Sequence, residues 1–256
     1  KSLARADGYV VFVPGAVPGD RVRARIVKRK KKYAEAMLLD VVVPSSLRTQ
    51  PRCFYHDTCG GCKWQHVGYA AQLEAKRLSV EDALRHAGGF ADATARPTLG
   101  AEETYFYRNK MEFSFSAQRW LTDWEIASGE DLDKGFALGL HVPGRFDRVL
   151  DLRACYLQSP WSARLVNGVR TFAKAHGWRP WDVKRHAGYL RHLVVRQPAH
   201  TDERMVNLVT SHEDAERMAA FAAFLRTDFP EVTTLVNTIN SGVAQTAFGE
   251  AMTTVF

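Results

Sequence analysis

The chain has 256 residues, 46% of them hydrophobic and 25% charged, an ordinary globular composition with length for two or three units. It contains no run of eighteen apolar residues, which excludes a transmembrane helix. Its opening, KSLARADGYV, lacks the apolar core of a secretory signal, so a cytoplasmic protein without membrane association is expected. The formal net charge of +7 is unevenly placed: residues 1–62 hold twelve Lys or Arg against five Asp or Glu, and the remainder 23 against 23. Such asymmetry favours a polyanionic partner, nucleic acid or an acidic membrane surface, over a merely solvated face.

The predicted elements begin with short strands over residues 1–47. GYVVFVPGAVPGD reads as an apolar strand closed by turns at Pro14-Gly15 and Pro18-Gly19. In DRVRARIVK, Val22, Ala24 and Ile26 alternate with Arg21, Arg23 and Arg25, giving one apolar and one cationic face. Lys28, Arg29, Lys30, Lys31 and Lys32 form a basic turn, and YAEAMLLDVVV returns as a strand. The expected outcome is a small OB-like β-barrel with one cationic side, able to hold an oligonucleotide. Residues 48–100 then supply a cysteine-rich loop and a helix. In that helix Leu73, Val80, Leu84 and Ala87 share a stripe, and Gly88-Gly89 stop it.

Residues 101–256 read as an α+β sheet domain. Met111, Phe113 and Phe115 alternate with Glu112, Ser114 and Ser116 as a half-buried strand, and FALGLHV is another. Ser159-Pro160 opens a helix ending near Gly177. LRHLVVRQ and RMVNLVTS look like neighbouring strands, and Ser211 with Asp214 suggests a capping box for a helix through Leu225. VTTLVNTIN and VAQTAFGE are expected to resume the sheet. The chain begins without Met and stops inside an apparent strand, so a longer parent protein is expected.

Three of the four cysteines lie in CFYHDTCGGCKWQH, spaced C-x5-C-x2-C at Cys53, Cys59 and Cys62. In a chain without an export signal, disulfides are disfavoured and metal binding is the better reading. Structural zinc sites use two chelating pairs, and only one such pair exists here. Three local thiolates and one remote thiolate suit a [4Fe–4S] cubane, in which each iron takes one cysteine, and Cys155 is the remaining candidate. Zinc on the same ligands, with His56 or His66 taking part, stays open. Gly60-Gly61 allow positive φ and a close approach of backbone N–H groups to sulfur.

These segments resemble a known family. GYVVFVPGAVPGDRVRARIVKRKKKYAEA resembles a TRAM domain, a small RNA-binding β-barrel. PRCFYHDTCGGCKWQHVGYAAQLEAK resembles the cluster segment of the RNA (uracil-5)-methyltransferases of RumA type. YRNKMEFSF, GLHVPGRFDRVLDLRAC and LRHLVVR resemble that family's central domain. The resemblance implies a [4Fe–4S] cluster on Cys53, Cys59, Cys62 and Cys155. It implies S-adenosylmethionine as methyl donor and 23S ribosomal RNA as partner; no obligatory protein partner is inferred. It also implies an RNA face built from Arg108, Lys110, Arg191 and His192 beside the barrel's cations. Trp64, Tyr105 and Phe106 are candidates for base stacking.

The family's catalytic step adds a cysteine thiolate to C6 of uracil so that C5 can attack the methyl group. All four cysteines of this chain are assigned to the cluster, and no G-x-G turn follows a strand. Nucleophile and cofactor site are expected in a C-terminal Rossmann-like domain outside this chain, so no catalytic residue is assigned and the chain alone is expected to be inactive. Two alternatives remain: a non-catalytic RNA-binding metalloprotein, and a radical S-adenosylmethionine methylthiotransferase relative. The latter uses C-x3-C-x2-C spacing, which this chain lacks.

Overall fold

Alternation in the first forty-three residues produces four strands, β1 (Ser2–Ala6), β2 (Tyr9–Val13), β3 (Arg21–Arg29) and β4 (Tyr33–Val43), in a computed structural model that describes residues 2–256. β1 is an addition to the expected elements, and the sequence carries a signal for it. Asp7-Gly8 takes φ of 49° and 79°, and Ala6 pairs with Tyr9, the two-residue hairpin that Asp-Gly favours because both central residues need a left-handed backbone. The sheet order is β1-β2-β4-β3, with β4 parallel to β2 and antiparallel to β3. Among the described residues this is a sheet with two edges, and no pairing joins β3 to β1 to make the expected closed barrel. The regular alternation of β3 also ends early. Val22 and Ala24 are half-buried, but register shifts along the β3–β4 pair leave Ile26 and Val27 51% and 58% exposed.

Asp20 ties the β2–β3 turn to the segment that follows β4. Its carboxylate accepts from the Val17 and Ser45 backbone N–H groups (2.6 and 2.9 Å) and from Arg48 Nε and Nη2 (2.8 and 2.7 Å). Burial alone would raise its pKa, but the Arg48 and backbone donors outweigh burial and hold it at about 2.

Helix α1 (Tyr69–His86) follows the cysteine segment. Its expected apolar stripe is only partly used: Leu73 and Leu84 are half-buried, while Val80 and Ala87 are exposed. The buried residue of α1 is Glu81, which pairs with Arg77 at 2.5 Å and accepts the Ala95 backbone N–H. The strands, most of the cysteine segment and α1 form one compact unit, from the start of the described chain to Asp57 and from Cys62 to Glu102. Thr58–Gly61 and Glu103–Phe256 form the other. The segment expected as a region of its own is thus divided, mostly with the first sheet.

The second unit is built on a mixed eight-stranded sheet. Its strands are β5 (Lys110–Ser116), β6 (Arg119–Trp120), β7 (Ala137–His141), β8 (Val149–Asp151), β9 (Leu190–Arg196), β10 (Met205–Thr210), β11 (Thr234–Ile239) and β12 (Ala251–Thr254). Their order is β12-β11-β10-β9-β5-β7-β8-β6. Short helix α2 (Asp123–Ser128) starts on a capping box of Thr122 and Glu125. Helices α3 (Pro160–Ala175) and α4 (Ala215–Asp228) pack through Phe172 and Phe224, whose rings stack 4.5 Å apart. β9 and β10 are neighbours, as expected, and β9 is buried at six of its seven positions.

Three local expectations change. Asp214 alone caps α4 by accepting from Arg217 N–H, while Ser211 Oγ instead donates to the Gly188 carbonyl. Residues 243–250, expected as a strand, form a loop, and β12 begins only at Ala251. Ser114 and Ser116 are buried together with Phe113 and Phe115, so the end of β5 is covered on both faces.

Candidate functional site

The cationic strand-turn of the first unit is open to solvent. Arg21, Arg23, Arg25, Lys28 and Arg29 are exposed on β3, and Lys30, Lys31 and Lys32 are exposed in the turn that follows. Only part of the expected turn is a turn, since Lys28 and Arg29 continue the strand. Tyr9 fastens it from below, its hydroxyl lying 2.5 and 2.7 Å from the carbonyls of Lys30 and Tyr33. Arg23 pairs with Asp40 at 3.0 Å, a surface pair that leaves it solvated.

The cysteine segment folds back on itself. In the first unit, Cys53 N–H donates to Gln65 Oε1 (3.1 Å) and the Cys53 carbonyl accepts from His56 N–H (3.1 Å). His56 Nε2 and His66 Nδ1 lie 2.7 Å apart, and burial lowers the pKa of both rings. In the second unit, Gly60 lies flat on β7. Its N–H donates to the His141 carbonyl (3.2 Å), and a β-carbon would stand 2.7 Å from that oxygen. Gly61 N–H points at Cys59 Sγ (3.4 Å), and a β-carbon on Gly61 would stand 3.8 Å from Leu157, two residues beyond Cys155. The two glycines therefore serve close approach and sulfur hydrogen bonding. Neither has the positive φ that was expected as their other use.

Cys53, Cys59, Cys62 and Cys155 are all half-buried. Among the described residues no group of three or more His, Cys, Asp or Glu side chains is gathered to hold a metal ion. The Gly61 N–H aimed at Cys59 Sγ is the kind of donor a thiolate accepts.

The four residues expected to line the RNA face of the second unit divide into two pairs. Arg108 and Lys110 are exposed, and with Asn109, Met111, Glu112 and Leu140 they line a cavity of about 530 Å³. Lys110 pairs with Glu112 at 2.6 Å, and the hydrophobic alternation of β5 turns both outward. Arg191 and His192 are buried, which corrects the expectation for them. Arg191 donates to the carbonyls of Asn240, Gly242 and Ala244 and lies 4.3 Å from the Trp181 ring. It organises the loop after β11, and a phosphate would have to displace those partners. His192 Nδ1 lies 3.3 Å from Ser114 Oγ, and burial, reinforced by Arg191, pushes the imidazole down to about 4. Of the suggested stacking residues, Trp64 is 40% exposed, while Tyr105 and Phe106 are half-buried against Tyr156. Among the described residues no helix is long and apolar enough to cross a membrane.

Comparison with known proteins gives a consistent picture. Residues 1–39 match the TRAM domain family. A protein of Chlorobaculum tepidum named an uncharacterized RNA methyltransferase is 44% identical over 246 residues, which cover 92% of this chain and 51% of the relative. A Bacteroides thetaiotaomicron protein of the same description is 39% identical, with 94% of this chain and 54% of the relative covered. The chain thus spans about half the length of the curated relatives it matches, and it resembles RNA methyltransferases that carry a TRAM domain. Among solved structures, the Pyrococcus abyssi tRNA (uracil-54, C5)-methyltransferase in complex with S-adenosyl-L-homocysteine superposes with a TM-score of 0.65. That match has 22% identity over 95% of this chain and 50% of that one, a likeness of fold.

Proposed function

We propose that this chain is the RNA-recognition and cluster-bearing portion of an S-adenosylmethionine-dependent methyltransferase acting on C5 of a uridine in 23S ribosomal RNA. The observation that carries the reading is the exposed run Arg21 to Lys32, held out on a strand and turn within the TRAM match of a chain similar to RNA methyltransferases. Guanidinium and ammonium groups in a row neutralise phosphates along a backbone without reading sequence. Arg108 and Lys110 add a second cationic contact beside a cavity wide enough for a nucleotide.

Cys53, Cys59, Cys62 and Cys155 would hold a [4Fe–4S] cluster, with Gly61 N–H stabilising charge on Cys59. When bound, that group supplies a structural staple rather than electrons, because methyl transfer from a sulfonium moves no net electrons. None of the four cysteines is left over as a nucleophile for C6 of uracil, so the 256-residue chain should bind RNA and not methylate it. The same count favours a second reading, a non-catalytic RNA-binding metalloprotein. Methylation of 23S ribosomal RNA by the protein in its native length separates the two.

Two measurements test the proposal. Replacing Lys30, Lys31 and Lys32 with Ala should weaken binding to a 23S ribosomal RNA fragment and flatten the log–log salt dependence by about 2, at ~0.7 per phosphate contact. An unchanged slope removes the turn from the interface. Cys155→Ala should abolish the visible absorbance and the iron and sulfide content of anaerobically purified protein. A variant that keeps both shows that another residue is the fourth ligand.

A further inference from the structure

A different part of the second unit carries cations and an exposed ring that none of these assignments uses. β7 and β8 are joined by residues 142–148, VPGRFDR, a tight turn closed by Val142 N–H to the Arg148 carbonyl (3.3 Å) and Arg145 N–H to the Val142 carbonyl (3.1 Å). Arg145 and Phe146 sit at its tip, and Phe146 is 73% exposed. Residues 182–187, DVKRHA, form a second loop, closed by Asp182 N–H to the Ala187 carbonyl (2.7 Å). Asp182 Oδ1 accepts from the Lys184 and Arg185 N–H groups (2.9 and 3.1 Å), and His186 holds a left-handed backbone at φ 51°. Lys184 Nζ lies 2.8 Å from Asp147 Oδ2 and clasps the two loops together.

This clasp decides the electrostatics of the patch. Asp147 is only 13% exposed, and the Lys184 ammonium beside it holds its carboxyl below the ordinary range. Asp182 is buried and engaged by backbone donors. Both acids of the two loops are therefore spent on their architecture, while Arg145 and Arg185 are exposed. A lone exposed aromatic ring is unremarkable, and a lone cationic loop is ordinary surface. A ring exposed at a turn between arginines, clasped to a second basic loop, combines the two elements that hold single-stranded nucleic acid: a face for bases and charges for the backbone. A protein partner would call for a contiguous apolar patch, which one ring does not make.

We propose that the 142–148 turn, clasped to the 182–187 loop by Asp147 and Lys184, is a further contact for single-stranded RNA. A base stacks on Phe146, and Arg145 and Arg185 take the adjoining phosphates. The inference rests on the RNA reading above but engages none of the residues on which that reading was built. A duplex buries its base faces, so this contact favours unpaired over paired RNA.

Fluorescence anisotropy on the 256-residue chain, with a labelled single-stranded RNA and its duplex, tests the contact across a salt series. Phe146→Ala should weaken single-strand binding about ten-fold with the salt slope unchanged, and Phe146→Tyr should restore it. Arg145→Ala with Arg185→Ala should lower the slope by about 1.4. Phe146 is exposed, so thermal unfolding of its variants should match the parent chain. If Phe146→Ala binds within two-fold of the parent while the triple lysine variant is impaired, the RNA reading stands and this contact falls. Equal losses on single strand and duplex overturn the stacking role. Failure of the parent chain to bind either RNA overturns the contact and the RNA reading together.

Discussion

The two sheets use similar strand sequences and treat them in opposite ways. In β3, Ile26 and Val27 are more than half exposed and the arginines face water; in β9, Leu190, Leu193 and Val195 are fully buried and Arg191 is buried with them. The difference lies in what each sheet has to pack against. The second unit has α3 and α4, whose Phe172, Phe221 and Phe224 interlock, and α3 buries Trp161, Leu165, Val166 and Val169. The first has α1, whose buried residue is an ion-paired glutamate. Where helices seal a sheet, an arginine must find its hydrogen bonds inside, and its role becomes architectural. Where no such layer exists, the same residue type stays available to a polyanion.

Three perturbations would break or sharpen this contrast. The largest effect is expected at Arg170, 2% exposed, which bonds Asp151 Oδ1 at 2.7 Å and the carbonyls of Leu138 and Leu152. Arg170→Ala takes the nearest charge partner from a buried carboxylate, which keeps the Leu138 N–H and the exposed Arg153, and removes a donor from two carbonyls; it should cost about 4 kcal/mol, read by urea unfolding followed through tryptophan fluorescence. Loss of less than about 1 kcal/mol would mean that the second unit does not depend on its internal arginines. Asp20→Asn is the counterpart in the first unit. It should cost about 3 kcal/mol by removing the charge shared by Arg48 and two backbone donors, and hydrogen exchange at Val17 and Ser45 should speed up. Slowed or unchanged exchange there would show that Arg48 does not pin the β2–β3 turn.

Acid provides the smallest and most selective test. His192 is held neutral in the folded chain, its pKa near 4 against an ordinary 6.5, so the unfolded state binds the extra proton. Its stabilising contribution is complete above pH 6.5 and is lost as pH falls toward 4; at pH 5 the loss should be about 2 kcal/mol relative to neutral pH. His192→Gln should flatten that portion of the stability–pH curve. A parent curve already flat between pH 7 and 5 would sink the assignment.

Much of the fold is legible in the order of the residues. The alternation in the first half of β3 and in the start of β5, the Pro-Gly turns, and the start of α3 at Pro160 follow from backbone preferences that act over a few residues. So does the β1–β2 hairpin, announced by Asp7-Gly8. The cationic residues of β3 and its turn can be read as exposed, because bulges and edges cannot bury so many like charges at once. The burial of Arg191 and His192 cannot be read in that way. LRHL in β9 carries the same outward-looking pattern as VRAR in β3, and nothing within four residues announces that Asn240, Gly242 and Ala244 will supply carbonyl partners about fifty positions later.

Sequence by itself determined the local grammar of this protein: where strands turn, where α3 begins, which quarter of the chain carries the surplus positive charge, and which four residues can offer a thiolate. Tertiary structure alone decided which cations remain outside, that Glu81 and Arg170 go inward, and that Asp147 and Lys184 draw two distant loops together. The reason is physical. Turn and strand preferences are properties of neighbouring residues, whereas burial depends on which layer covers a face, and that layer comes from distant parts of the chain.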